Sequence, residues 1–223
     1  SLKNRIDTFL ERYRVPIPDY LREMEKYAVQ NHIPVMGRGT ADLLRFLIRT
    51  IRPKNILEIG TAIGYSSLYM KECVVEKVSI VTIEKIESRY LKAKENFEKY
   101  DDENCITLIC ADAEDAIKKL ADEGKTFDLI FLDAAKGQYV NYLQNLVDIL
   151  TPLGELVTDN IFHNGTVLNS RYAVTQRDRT IHERMRTYLK MITEHENLES
   201  VCLPIDDGIA LSKKVDKNAS KKT

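Results

Sequence analysis

The alternation of short apolar runs with amphipathic stretches predicts an α/β fold built on a parallel sheet. Two observations carry that reading. Five runs, NILEIG, KVSIVTIE, ITLICAD, FDLIFLD and GELVTDN, are apolar at nearly consecutive positions, as strands covered on both faces must be. Between them lie SSLYMKECV, ESRYLKAKENFEKY, AEDAIKKLADEG and QYVNYLQNLVDIL, which read as helices crossing from one strand to the next.

In chain order, KNRIDTFLERY and TADLLRFLIRTI read as helices ahead of the sheet, with the loop NHIPVMGRG leading into the second. Gly124 and Gly154 fall where helix ends or tight turns are expected. After the fifth run come a polar helix around TQRDRTIHERMRTYLKMI and two last strands, ESVCLP and GIALSKK. With no internal repeat and no dividing linker, residues 1–215 read as one domain with an N-terminal helical segment. Residues 216–223 read as a polar tail.

A chain of 223 residues can bury a core that needs no disulfide or metal staple. Its net charge of -1 excludes a global field drawing it to nucleic acid, so any RNA-binding surface must be local. Cys73, Cys105, Cys110 and Cys202 lack zinc-type spacing and read as buried, reduced thiols. No signal peptide and no bilayer-spanning apolar run is present, so a cytoplasmic protein without a membrane partner is expected.

The chemistry gathers at the ends of the runs, where open parallel sheets bind ligands. Glu58 and Gly60 form a Glu-x-Gly-x-x-x-Gly turn ending at Gly64, not the Gly-x-Gly-x-x-Gly of dinucleotide sites. A carboxylate in that turn disfavours a pyrophosphate and favours a cation. Glu84 ends the next run, where a carboxylate can accept both ribose hydroxyls, and Asp112 with the Ala113 backbone is placed for an adenine edge. Ribose, adenine and a cationic aminoacyl arm without phosphate describe S-adenosylmethionine. At the fourth and fifth ends stand Asp133 and the pair Asp159–Asn160, hard oxygen ligands suited to Mg²⁺. Lys136 follows Asp133 by three residues; beside a divalent ion its ammonium pKa is expected to fall, which suits a base.

Together LEIGTAIGYSS, FLDAAKGQY, TDN and DDGIALSKK resemble the cation-dependent class I O-methyltransferases, catechol and caffeoyl-CoA enzymes among them, over nearly the whole chain. Within that family the resemblance runs to the bacterial tRNA 5-hydroxyuridine methyltransferases. It implies a Rossmann-like, seven-stranded, mostly parallel sheet with the last strand antiparallel and helices on both faces. It further implies that Met36 lies in the loop that covers the methionine arm, that Glu58, Gly60 and Ser66 hold that arm, and that Glu84 takes the ribose and Asp112 with Ala113 the adenine. Asp133, Asp159 and Asn160 would be the metal ligands, Lys136 the catalytic lysine, and the assembly a homodimer. The bulky His-Trp pair of catechol methyltransferases is Ala134–Ala135 here, which implies a differently walled acceptor pocket.

Both a catechol and 5-hydroxyuridine present two adjacent oxygens to a chelated cation. RYAVTQRDRTIHERMR leans toward RNA, because Arg171, Arg177, Arg179, Arg184 and Arg186 can contact anticodon-loop phosphates. Arg177 and Arg184 are expected on one helical face, and Tyr139 or Phe162 is the candidate for stacking on a flipped base. The bland alternatives are a solvated helix with pairs such as Arg179–Glu183 and aromatics that belong to the core.

Overall fold

In the computed structural model, residues 2–215 are described; the expected tail at 216–223 lies outside the described residues. Two compact units divide the chain, the first ending at Val35 and the second beginning at Met36.

The first unit contains α1 (Leu2–Leu10), a 3-10 turn (Glu11–Tyr13) and α2 (Asp19–Gln30). α2 was not among the expected helices. It follows Pro18, which pre-sets an extended entry, and buries Leu21, Met24 and Ala28 at spacings of three and four.

The second unit opens with α3 (Arg38–Ile51) and continues as β1 (Asn55–Ile59), α4 (Tyr65–Cys73), β2 (Ser79–Glu84), α5 (Glu87–Tyr100), β3 (Ile106–Cys110), α6 (Ala113–Asp122), β4 (Phe127–Leu132), α7 (Tyr139–Ile149) and β5 (Leu150–Thr158). Short 3-10 turns at Lys136–Gln138, Thr166–Leu168 and Arg171–Ala173 precede or follow the site strands. α8 (Arg179–Glu194), β6 (Leu198–Leu203) and β7 (Ile209–Lys214) complete the unit.

The seven strands form one sheet in the order β3-β2-β1-β4-β5-β7-β6. β1 to β5 run parallel, and β7 inserts antiparallel between β5 and β6. Right-handed crossovers place α4 and α5 on one face and α6 and α7 on the other. The large apolar cluster joins the strands to α6, α7 and α8 through residues such as Leu132, Leu146 and Met185.

Two local expectations change. Gly154 lies inside β5, because that strand begins four residues before the predicted glycine turn. The thiols are all free, yet only Cys73 is buried; Cys105 is half-buried and Cys110 and Cys202 are exposed. Cys110 ends β3, an outer strand of the sheet, where one side lacks a covering neighbour.

Candidate active site

The reversal of strand order between β1 and β4 puts the site where the parallel strands end. Backbone pairing carries on past them: Asp133 N–H donates to Ile59 O (2.9 Å) and Asp159 N–H to Leu132 O (3.0 Å). These bonds set Asp133 beside Gly60 and Asp159 beside Asp133. Gly60 has φ +102°, and a Cβ there would collide with the Asp133 carbonyl oxygen. Only glycine permits that approach.

Glu58, at the end of β1, is wholly buried. Ser66 and Ser67 at the start of α4 and Thr82 of β2 (2.6 Å) all donate to its carboxylate. Burial lifts its pKa from 4.5 to about 7 against these three hydrogen bonds, and the charge of Asp133 adds to the rise. Glu84 accepts the amides of Ala62 (2.8 Å), Lys85 (3.0 Å) and Ile86 (2.9 Å), which binds the turn after β1 to the end of β2. Asp112 caps α6, accepting Glu114 N–H, and pairs with Lys85 at 3.0 Å. That hydrogen bond with Lys85, then the Glu114 amide, holds its carboxyl below the usual range. Ala113 is buried behind the cap, and Met36 is buried just ahead of Gly37, the N-cap of α3.

The second group closes around Lys136. Its ammonium donates to Asp133 Oδ1 (2.8 Å), Tyr139 Oη (3.0 Å) and Asn160 Oδ1 (3.3 Å). Burial pulls its pKa down, but the charges of Tyr139 and Asp133 and the bonds to both outweigh that and leave it above the ordinary lysine value. In this arrangement Tyr139 and Asp133 sustain the ammonium, and the fall expected beside a divalent ion belongs to a site that holds one. Burial, then the charge of Asp133, pushes Asp159 up to about 7, while the Asn160 amide (2.7 Å) and Lys136 oppose the rise. Asp159 has no ion-pair partner among the described residues.

The donor chemistry fits a hard cation. Oxygens of Asp133 and Asn160 already converge on one ammonium, and Asp159 beside them is a buried carboxyl short of positive charge. Among the described residues no three His, Cys, Asp or Glu side chains gather as a metal site; the expected set has two carboxylates and an amide.

The arginine-rich stretch is divided between structure and surface. α8 begins at Arg179, so Arg177 lies in the preceding turn and shares no helical face with Arg184. That turn is closed by Thr175 Oγ1 donating to Asp178 (2.7 Å), which stops the helix from starting earlier. Arg184 donates to Gly137 O (2.7 Å), and Arg186 to Val167 O (3.0 Å) and Asn169 O (2.8 Å). Arg179 reaches Val174 O at 3.4 Å. Arg171, Tyr172 and Arg177 are exposed, Tyr172 by 94%. Tyr139 is fully buried edge-on to Tyr188 at 5.5 Å, and Phe162 is half-buried against the core. The core reading thus holds for Tyr139, whose hydroxyl also accepts the Ala134 amide at 3.0 Å.

Sequence reasoning missed Ser67, Thr82, Tyr139 as the partner of Lys136, and Thr40, whose hydroxyl meets Asp206 at 3.0 Å and lies 3.5 Å from Asp159. Serine and threonine facing a strand-end acid across a turn were the only available signal for the first two.

A profile of the O-methyltransferase family matches residues 13–215. The chain belongs to the O-methyltransferase family. This O-methyltransferase is 26% identical over 204 residues to the caffeoyl-CoA O-methyltransferase of Stellaria longipes, covering 88% of this chain and 84% of that one. It is 31% identical over 127 residues to the catechol O-methyltransferase of Niastella koreensis, covering 56% and 58%. The SAH-bound methyltransferase of Podospora anserina superposes with a TM-score of 0.85, at 26% identity over 96% of both chains. The O-methyltransferase therefore uses S-adenosylmethionine on a Rossmann-like sheet. Among its described residues no helix is long and apolar enough to cross a membrane.

Proposed function

We propose that this O-methyltransferase works with Mg²⁺ or a similar divalent cation and methylates the 5-hydroxyuridine of a tRNA wobble position to 5-methoxyuridine. The observation that carries the RNA reading is the exposed trio Arg171, Tyr172 and Arg177 on the segment that follows Asp159–Asn160. Guanidinium groups beside an exposed ring suit phosphates and an unstacked base. A second reading, O-methylation of a catechol or a phenolic acyl-CoA, is favoured by the substrates named for the Stellaria and Niastella relatives.

In either case Glu58, with Ser66 behind it, faces the cationic arm of the donor, Glu84 the ribose, and Asp112 with Ala113 the adenine. Asp133, Asp159 and Asn160 would hold the cation, which would polarise and orient two adjacent acceptor oxygens. Lys136 Nζ would receive the hydroxyl proton. Its base role belongs to the state in which the negative charge of Asp133 is neutralised, since that charge sustains the ammonium. Methyl transfer is an in-line displacement, and alignment of the two reactants contributes roughly 7–11 kcal/mol.

Pairing of two chains belongs to the same proposal, since α1 exposes Ile6, Phe9 and Leu10 in the unit that precedes the catalytic sheet. Light scattering of the wild type and of Phe9→Glu tests it: a monomer in both discards the dimer.

Labelled S-adenosylmethionine offered with tRNA bearing 5-hydroxyuridine, with catechol and with caffeoyl-CoA, each with and without EDTA, decides the acceptor. Transfer to the tRNA that EDTA abolishes supports the first reading. Transfer confined to a phenol replaces it with the second, and transfer indifferent to EDTA removes the cation.

A further inference from the structure

The start of α3 is fastened to the turn between β6 and β7 by contacts that the chemistry above does not use. Asp206 Oδ2 accepts both the Thr40 amide (2.7 Å) and the Thr40 hydroxyl (3.0 Å), across 166 residues of chain. The same hydroxyl oxygen lies 3.5 Å from Asp159 Oδ1. Thr40 and Asp159 are both buried. The Thr40 amide is among the first of α3, which have no intrahelical acceptor, and the N-cap Gly37 has no side chain to supply one. Asp206 is the cap brought from elsewhere in the chain.

The backbone is adapted to the same junction on both sides. A Cβ at Gly37 would collide with the Asp206 carboxylate, and one at Gly39 would lie 3.0 Å from Asp206 Oδ1 and 2.8 Å from Ile205. Asp206 itself takes a left-handed conformation, φ 49°. A cap alone would need only the amide contact. The hydroxyl does something more: its oxygen lies 3.0 Å from the capping carboxylate and 3.5 Å from Asp159, so its single proton can be donated to either.

We propose that Thr40 is a positioning residue for Asp159 and that Asp206 seats it. Thr40 orients the Asp159 carboxylate for a divalent cation and ties it to the loop carrying Met36, so the donor-side loop and the cation-side carboxylate share one buried strut. This rests on the reading of Asp133, Asp159 and Asn160 as cation ligands.

The test titrates full-length protein with Mn²⁺ alone, following the free ion by electron paramagnetic resonance, with thermal melts of every variant. Thr40→Val keeps the shape and removes the hydroxyl; Mn²⁺ binding is expected to weaken about tenfold, the lower end for a group that orients a ligand. Thr40→Ser restores the hydroxyl and is expected to bind within about twofold of wild type, well inside that loss. Gly37→Ala pushes Asp206 away from outside the strut and is expected to behave like Thr40→Val. Wild-type affinity in a folded Thr40→Val overturns the proposal, as does a folded Thr40→Ser that is as weak as the valine. A wild type that binds no Mn²⁺ sinks the ligand reading itself, and the strut's role with it.

Discussion

Glu58 shows how burial sets the chemistry of a single carboxyl. Its pKa is lifted from 4.5 to about 7 chiefly by desolvation, despite three donated hydroxyl hydrogen bonds. Below about pH 4.5 both folded and unfolded chains hold the proton, and the carboxyl costs nothing in charge. As pH rises toward about 7 the unfolded chain releases the proton while the folded one keeps it, so stability falls. Above about 7 the whole penalty stands, roughly 3 kcal/mol. Glu58→Gln should therefore flatten the decline in urea midpoint across this window; an unchanged slope would assign it to another group. An arm bearing an ammonium favours the ionised carboxylate, so SAH is expected to bind more tightly as pH approaches 7 and to release a proton on binding. Calorimetry near pH 6 in two buffers of unlike ionisation enthalpy measures that proton, and equal heats in both would remove Glu58 from the arm's surroundings.

At the scale of elements, α8 works as a clamp on the loops around the site. Its Arg184 holds the Gly137 carbonyl in the turn that carries Lys136, and Arg186 holds Val167 and Asn169. His182, one turn before Arg186, donates to the same Asn169 carbonyl at 2.9 Å. Because Arg186 bridges two carbonyls from a largely exposed position, Arg186→Ala should destabilise by about 1–2 kcal/mol, toward the lower range for charged hydrogen bonds. Hydrogen exchange should rise most in residues 167–170, and Arg186→Lys should rescue only in part, since one ammonium cannot reproduce the fork. Uniform exchange in the alanine variant would contradict the clamp.

For the whole molecule, charge is balanced and its local distribution carries the information. Three arginines of the 171–186 stretch are engaged with backbone carbonyls, which leaves Arg171 and Arg177 with Tyr172 as the surface available to a polyanion. Replacing Arg171 and Arg177 by alanine should weaken tRNA binding and reduce the slope of log affinity against log salt by about two. Turnover of a small phenol should stay unchanged in the same variant. Loss of both activities together would mean that these residues support the site itself. The acids at the rim were legible in the sequence because each ends an apolar run. The helix start at Arg179 was not, because a Thr175–Asp178 turn looks like polar helix until its hydrogen bond is seen.

By itself the sequence determined the parallel sheet and the carboxyl-end rim, since strands apolar on both faces that alternate with amphipathic helices need helices covering both sides. It also placed Glu58, Glu84, Asp133 and Asp159–Asn160 on that rim. Only the tertiary structure decided how these groups are charged and held: that Glu58 is sealed beneath Ser66, Ser67 and Thr82, that Lys136 is an ammonium between Asp133, Tyr139 and Asn160, and that Thr40 lies between Asp206 and Asp159. The physical reason is range. Periodicity records which face of an element is buried, whereas protonation and orientation depend also on partners 24 to 119 residues away in the chain.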